Sequence, residues 1–123
     1  MSDHGAPRLA EFGFDDLQFS PTAFLWEGGP RAGTNTTAFI VRTPPGKGVG
    51  LHVHPYAETF IVLRGTGRWT AGDHVTELGP DRVLVVPPDT EHGFRNTGDE
   101  PLLVVSIHDA PALEQEFTGE DPA

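Results

Sequence analysis

The stretch GLHVHPYAETF, residues 50–60, sets two histidines one residue apart in what otherwise reads as a β-strand, with a glutamate shortly after them. Side chains at i and i+2 of a strand share a face and lie about 6–7 Å apart along the chain, so the imidazoles of His52 and His54 can converge on one point. Pro55 has no N–H to give a ladder and ends that strand. Glu58 then opens the next strand and can swing its carboxylate back toward the same point. Two histidines on a strand also make an ordinary polar surface pair, so the reading turns on a further ligand. The segment VVPPDTEHGFRN, residues 85–96, supplies one: an apolar strand, a Pro-Pro turn and another strand bring His92 in from a distant part of the chain.

Working outward, fifteen glycines and twelve prolines punctuate the 123 residues. They leave apolar runs of four to eight residues between turn signals, as an all-β sandwich or barrel requires. Strands are expected over 23–27, 36–43, 50–54, 58–64, 67–71, 74–78, 82–86, 91–96 and 102–108. The connections GGPRAG, TPPGKG, AGD, GPD, PPD and NTGDEP read as turns. Thr37, Phe39 and Val41 share one face and Thr36, Ala38 and Ile40 the other, so both faces carry apolar groups, which suggests two packed sheets. One short helix of at most two turns is expected over 111–117. Asp109 would cap it, Pro111 would sit in its first turn, Leu113 and Phe117 would share a face, and Gly119 would stop it. The ends, 1–10 and the acidic 118–123, are expected to be frayed, leaving a single domain over 11–117.

Composition narrows the partners. Eighteen acidic residues against eight basic ones give a formal net charge of −10, which repels phosphate backbones and anionic lipid, so neither nucleic acid nor a membrane surface is an expected partner. The acids are scattered, which favours solubility as the reason for the charge. With no cysteine, any metal site must use histidine, carboxylate or backbone oxygen. No apolar run is long enough to span a bilayer, and MSDHGAPRLAEF lacks the features of a secretory signal, so a cytoplasmic protein is the expectation. Five of the eight phenylalanines precede Ile40, together with Trp26. These rings either close one end of a barrel or form a self-association surface.

The spacing of the histidine segment matches a family. Gly46, five residues, His52, Val53, His54, three residues, Glu58, six residues and Gly65 resemble the first cupin motif at every fixed position. Pro87, His92 and Asn96 stand at the intervals of the second motif, whereas Asp81 and Asp89 occupy places where that pattern has glycine. Aspartate tolerates left-handed and turn conformations better than most residues, so these departures bear on two turns and leave the ligand untouched. The two motifs span 46–96, about two fifths of the chain.

The resemblance implies an all-β, double-stranded β-helix (jelly-roll) barrel, and, with the apolar N-terminal third, a homodimer. It also implies one divalent transition metal held inside by His52, His54, Glu58 and His92. Three neutral imidazoles and a carboxylate suit Mn(II), Fe(II), Co(II), Ni(II) or Zn(II). An octahedral ion with four protein ligands keeps two adjacent positions for a substrate. Tetrahedral zinc held by all four would be closed. An open site with Fe, Mn or Ni is therefore expected, with zinc as a contaminant.

Alternation from Glu58 sends Phe60 and Val62 inward, and alternation from His92 does the same for Phe94, so the site should sit in a largely apolar cavity. Phe60 and Phe94 read equally well as barrel core. Tyr56, in the turn between ligands, and Trp26 and Trp69 are candidates for the mouth, against an exposed turn for Tyr56 and a core position for the tryptophans. Asn96 reads as a turn residue satisfying backbone groups. His4 falls in the frayed N-terminus and His74 beside a Gly-Asp turn, and His108, at the end of the last strand, reads as a surface residue against a partner that supports the metal ligands from behind. The function expected is a metal-dependent enzyme acting on a small chelating organic substrate by dioxygenation, or else by isomerisation or cyclisation, with Glu58 as base. The rival is a noncatalytic protein that binds a small molecule or metal with the same ligands. A nucleic-acid-binding regulator would need a further DNA-binding segment.

Overall fold

The computed structural model describes residues 5–119. The expected frayed ends fall partly outside this range: 1–4, with His4, and 120–123 are not among the described residues. A 3-10 turn at Phe14–Leu17 leads into β1 (Gln18–Ser20) and β2 (Ala23–Glu27), which a single helical turn, α1 (Gly28–Ala32), separates from β3 (Thr37–Thr43). There follow β4 (Gly48–Val53), β5 (Glu58–Arg64), β6 (Gly67–Ala71), β7 (His74–Leu78), β8 (Val83–Val86), β9 (His92–Asn96), β10 (Leu102–His108) and β11 (Glu116–Phe117).

The strands form two sheets, in the orders β1-β2-β3-β10-β5-β8 and β11-β4-β9-β6-β7, with antiparallel neighbours throughout the registered pairs. This is the jelly-roll barrel that the resemblance implies. The inward residues of facing strands, among them Phe60, Val62, Trp69, Phe94, Leu102 and Val104, make one buried core between the sheets. In β10 the alternation is complete, with Leu102, Val104, Ser106 and His108 buried and the residues between them half-buried. Among the described residues no helix is long and apolar enough to cross a membrane.

Each strand expected from the sequence is present, displaced by two residues at most at its ends. The helix expected over 111–117 is not. The chain bends through 109–112 and then pairs as β11 with β4, Glu116 opposite Val53 and Phe117 opposite His52. Two turns of helix are too short to be stable alone, and the amides that would begin one are bonded elsewhere. The Leu113 N–H donates to Glu27 Oε2 at 2.9 Å and the Glu114 N–H to Tyr56 Oη at 3.1 Å. The edge of β4 meanwhile offers unpaired backbone groups that an extended segment can satisfy. GGPRAG, read as a turn, is α1, closed by Gly33 at φ 71° with its N–H on Gly29 O. Asp81 and Asp89 adopt φ 68° and 61°, so each takes the left-handed conformation for which glycine would be the unstrained residue.

Candidate metal centre

Two cross-strand pairs, one from each sheet, build the site. In the five-stranded sheet His52 on β4 stands opposite His92 on β9. In the six-stranded sheet Glu58 on β5 stands opposite His108 on β10. His54 lies just past the end of β4, before Pro55 turns the chain toward β5. A β-bulge sets the first pair. Val49 faces Phe94 and His52 faces His92, so β4 spends one more residue than β9 across this interval, opposite Gly93. A Cβ on Gly93 would lie 2.7 Å from the Val49 carbonyl oxygen, which is why the tight approach of β4 to β9 requires glycine there.

One ligand atom from each of His52, His54, Glu58 and His92 lies within 4.8 Å of the others, and all four residues are buried. The far nitrogen of each imidazole shows what this cluster can hold. His52 Nδ1 lies 2.8 Å from Gly50 O, His54 Nδ1 2.7 Å from Tyr56 O and His92 Nδ1 2.7 Å from Thr90 O. A carbonyl oxygen can only accept, so each Nδ1 carries a proton and donates it. In its neutral form each ring therefore turns an Nε2 lone pair inward. His54 Nε2 and His92 Nε2 approach Glu58 Oε1 at 2.8 and 2.9 Å, a place where unprotonated nitrogens would meet an oxygen that also only accepts. A cation is what such a set of inward lone pairs lacks, and backbone carbonyls orienting imidazoles from behind are the usual support of histidine metal ligands.

The electrostatics agree with a site built for a cation. Burial, reinforced by the neighbouring His92 imidazole and opposed by the Gly50 carbonyl, lowers His52 from 6.5 to about 4. Burial pushes Glu58 upward, yet the imidazoles beside it, His108 first and then His54 and His92 where their Nε2 atoms hold protons, pull its carboxyl well below the usual range, as a cation at that point would. At neutral pH the cluster is thus an ionised carboxylate with at least one neutral imidazole. Buried charge of this kind is costly until it is paired.

A cavity of about 200 Å³ opens beside the cluster, bounded by His52, Glu58 and His108 on one side and by five phenylalanines, Phe60 and Phe94 included. Among the described residues no lysine or arginine lines it. Tyr56 is buried and reaches the site from behind, its ring stacked on His54 at 4.2 Å and its hydroxyl on His108 Nδ1 at 3.0 Å; it is not the exposed turn residue expected. Trp69, offered for the mouth, is fully buried in the core against Phe94 and does not line the cavity. Trp26 packs on Phe12, away from the cavity lining. His74 is exposed at its turn. Asn96 bonds the carbonyls of Thr43 and Glu100 and the N–H of Gly98, the backbone role expected.

The clearest departure is His108. It is 1% exposed, and its Nε2 lies 3.1 Å from Glu58 Oε2, so it belongs to the site and not to the surface. The signal was present in LLVVSIH, where His108 shares the parity of Leu102 and Val104. Phe117 is a second addition: β11 lays its ring 5.3 Å from that of His52, at the cavity wall.

A jelly-roll barrel with three histidines and a glutamate gathered inside it defines a class, and the comparison with known proteins gives the same answer. Residues 39–108, more than half of the chain, match the Cupin domain family, and the chain belongs to it. It is 37% identical over 76 residues to polyketide synthase CurC of Streptomyces cyaneus, covering 61% of this chain and 49% of that protein. It is 30% identical over 69 residues to 5-nitrosalicylic acid 1,2-dioxygenase of Bradyrhizobium, covering 56% and 33%, and 28% identical over 115 residues to H2HPP isomerase of Bacillus subtilis, covering 86% and 49%. The chain thus spans about half, or less, of the length of these relatives. Among solved structures, a double-stranded β-helix protein of Klebsiella pneumoniae superposes with a TM-score of 0.71 at 21% identity, covering 92% of this chain and 100% of the other. A mutant of oxalate decarboxylase of Bacillus subtilis does so with a TM-score of 0.76 at 20% identity, covering 86% and 31%.

Proposed function

We propose that this cupin is a metal-dependent enzyme that acts on a small organic molecule able to chelate the metal. The observation that carries the reading is the orientation of three imidazoles. Backbone carbonyls hold His52, His54 and His92 with their Nε2 lone pairs turned toward Glu58, beside a cavity walled mainly by apolar side chains. The donor set suits Fe(II), Mn(II), Ni(II) or Zn(II), and such an ion, when bound with open positions, supplies Lewis acidity and a template for substrate and co-substrate.

The protein's own part is positioning. The cavity admits a molecule of modest size, excludes bulk water with phenylalanine, and presents Glu58 as the anionic group to take a substrate proton. Dioxygenation is the favoured chemistry, with isomerisation or cyclisation next. Relatives named as a dioxygenase and an isomerase support both chemistries without ranking them or fixing the reaction, because one fold hosts many chemistries.

The test is metal analysis of untagged protein, followed by oxygen uptake when a β-diketone, a flavonol or a catechol is added to Fe(II)-, Mn(II)- or Ni(II)-loaded samples. Stoichiometric metal and metal-dependent uptake are expected. Tight binding of these compounds with no turnover on any metal would favour a noncatalytic binding protein, and full function in a metal-free preparation would defeat both readings.

A further inference from the structure

His108 is the one histidine of the centre whose ring is wired in the opposite sense. Its Nδ1 lies 3.0 Å from Tyr56 Oη, and that oxygen already accepts the Glu114 backbone N–H at 3.1 Å. An amide nitrogen can only donate, and a phenol has one proton to give. The arrangement in which all three groups are satisfied has the Tyr56 hydroxyl donating to Nδ1, so the neutral His108 ring carries its proton on Nε2.

The Nε2 atom is therefore a donor, where the other three rings present lone pairs. It lies 3.1 Å from Glu58 Oε2, outside the alignment of a hydrogen bond, and it is buried without a hydrogen-bond partner. It faces the same cavity as Glu58 and His52. A buried N–H without a partner is costly and calls for an acceptor. With no lysine or arginine in the lining, an oxygen placed there would find its donor in a neutral imidazole and not in a cation.

We propose that His108 is a substrate-positioning residue whose Nε2–H receives an oxygen of the ligand, which makes the fitting ligand an apolar, ring-sized molecule with two neighbouring oxygens. One oxygen would go to the metal and the other to His108, while the phenylalanine walls take the ring. This rests on the metal-centre reading above. Fully charged small dianions and phosphate esters fit poorly, because the lining has no cation to receive their second charge.

The experiment has two parts. Long-range 1H–15N spectra of the imidazoles in metal-free and zinc-loaded protein report which nitrogen of each ring holds the proton. The expected result is His108 protonated on Nε2 in both samples, while zinc moves the Nε2 resonances of His52, His54 and His92. A His108 ring protonated on Nδ1 in the metal-free sample overturns the inference. Unmoved resonances in the other three rings would instead bring down the metal-centre reading, and the two failures are thereby told apart.

The second part titrates 4-nitrocatechol into Ni(II)-loaded protein, whose ion keeps open positions beside four protein ligands, followed by the probe's absorbance. His108→Leu is expected to weaken binding about tenfold in protein that still holds nickel stoichiometrically, the worth of one hydrogen bond to an anionic oxygen, and His108→Gln to recover most of it. Tyr56→Phe, which preserves the ring, should let His108 populate both tautomers and weaken binding in the same direction; it serves if the leucine variant does not fold. Wild-type affinity in nickel-loaded His108→Leu or Tyr56→Phe protein, or no binding by the wild type, sinks the proposal.

Discussion

What a histidine does inside a protein is decided by what its second nitrogen is given to hold. Three rings here give a proton to a backbone carbonyl and keep a lone pair for the interior, whereas His108 takes a proton from Tyr56 and offers one. The same wiring sets the response to acid. In the folded metal-free protein His52 titrates at about 4, below its ordinary 6.5, so the unfolded chain binds the proton first. The stability associated with neutral His52 is therefore complete above 6.5 and is lost as the pH falls toward 4, by no more than ~3 kcal/mol. Glu58 acts in the same direction further down, since its depressed folded value makes protonation cost stability below its ordinary 4.5. Urea midpoints of metal-free protein should fall between pH 7 and pH 4.5, and His52→Gln should flatten the upper part of that curve.

At the scale of elements, the site depends on how closely β4 and β9 approach. Gly93→Ala would put a methyl 2.7 Å from the Val49 carbonyl and force the bulge to reorganise. A loss of about 1–3 kcal/mol is expected, as in overpacked cores, with a fall in zinc affinity because His52 and His92 separate. Denaturation and zinc titration of the same sample would show both. The left-handed aspartates give the opposite sign: Asp89→Gly should raise the urea midpoint by about 0.5–1 kcal/mol of stability, since glycine meets φ 61° without strain. The nine main strands were legible because β-branched alternation and Gly-Pro punctuation agree along the chain, and the four candidate ligands because their spacing is fixed. The bulge was not, since it depends on how β9 seats against β4 and no local pattern in GVGLHV announces it. His108 was discounted although its parity pointed inward, because a polar residue at a strand end is usually exposed. The 111–117 segment failed as a helix because its amides had tertiary partners, Glu27 and Tyr56, that no local propensity can reveal.

For the whole molecule, the metal should act as a ligand of the folded state alone. At a free concentration a thousand times its dissociation constant it adds about 4 kcal/mol, which in a domain of this size corresponds to a rise in melting temperature on the order of 15 °C. Calorimetry with and without chelator checks this. Self-association is the expected use of the aromatic N-terminal third, where Phe14 and Phe19 remain 52% and 54% exposed although Phe14 stacks on Phe24 and Phe19 meets Phe39 edge-on. Sedimentation should show a dimer that Phe14→Glu dissociates. The centre has a mechanical side as well. His52 and His92 belong to one sheet and Glu58 to the other, so an ion gripped by all three works as a rivet through two plates. Loading it should slow amide exchange on both inner surfaces together, and should leave β7, at the far edge of its sheet, almost as quick to exchange as before.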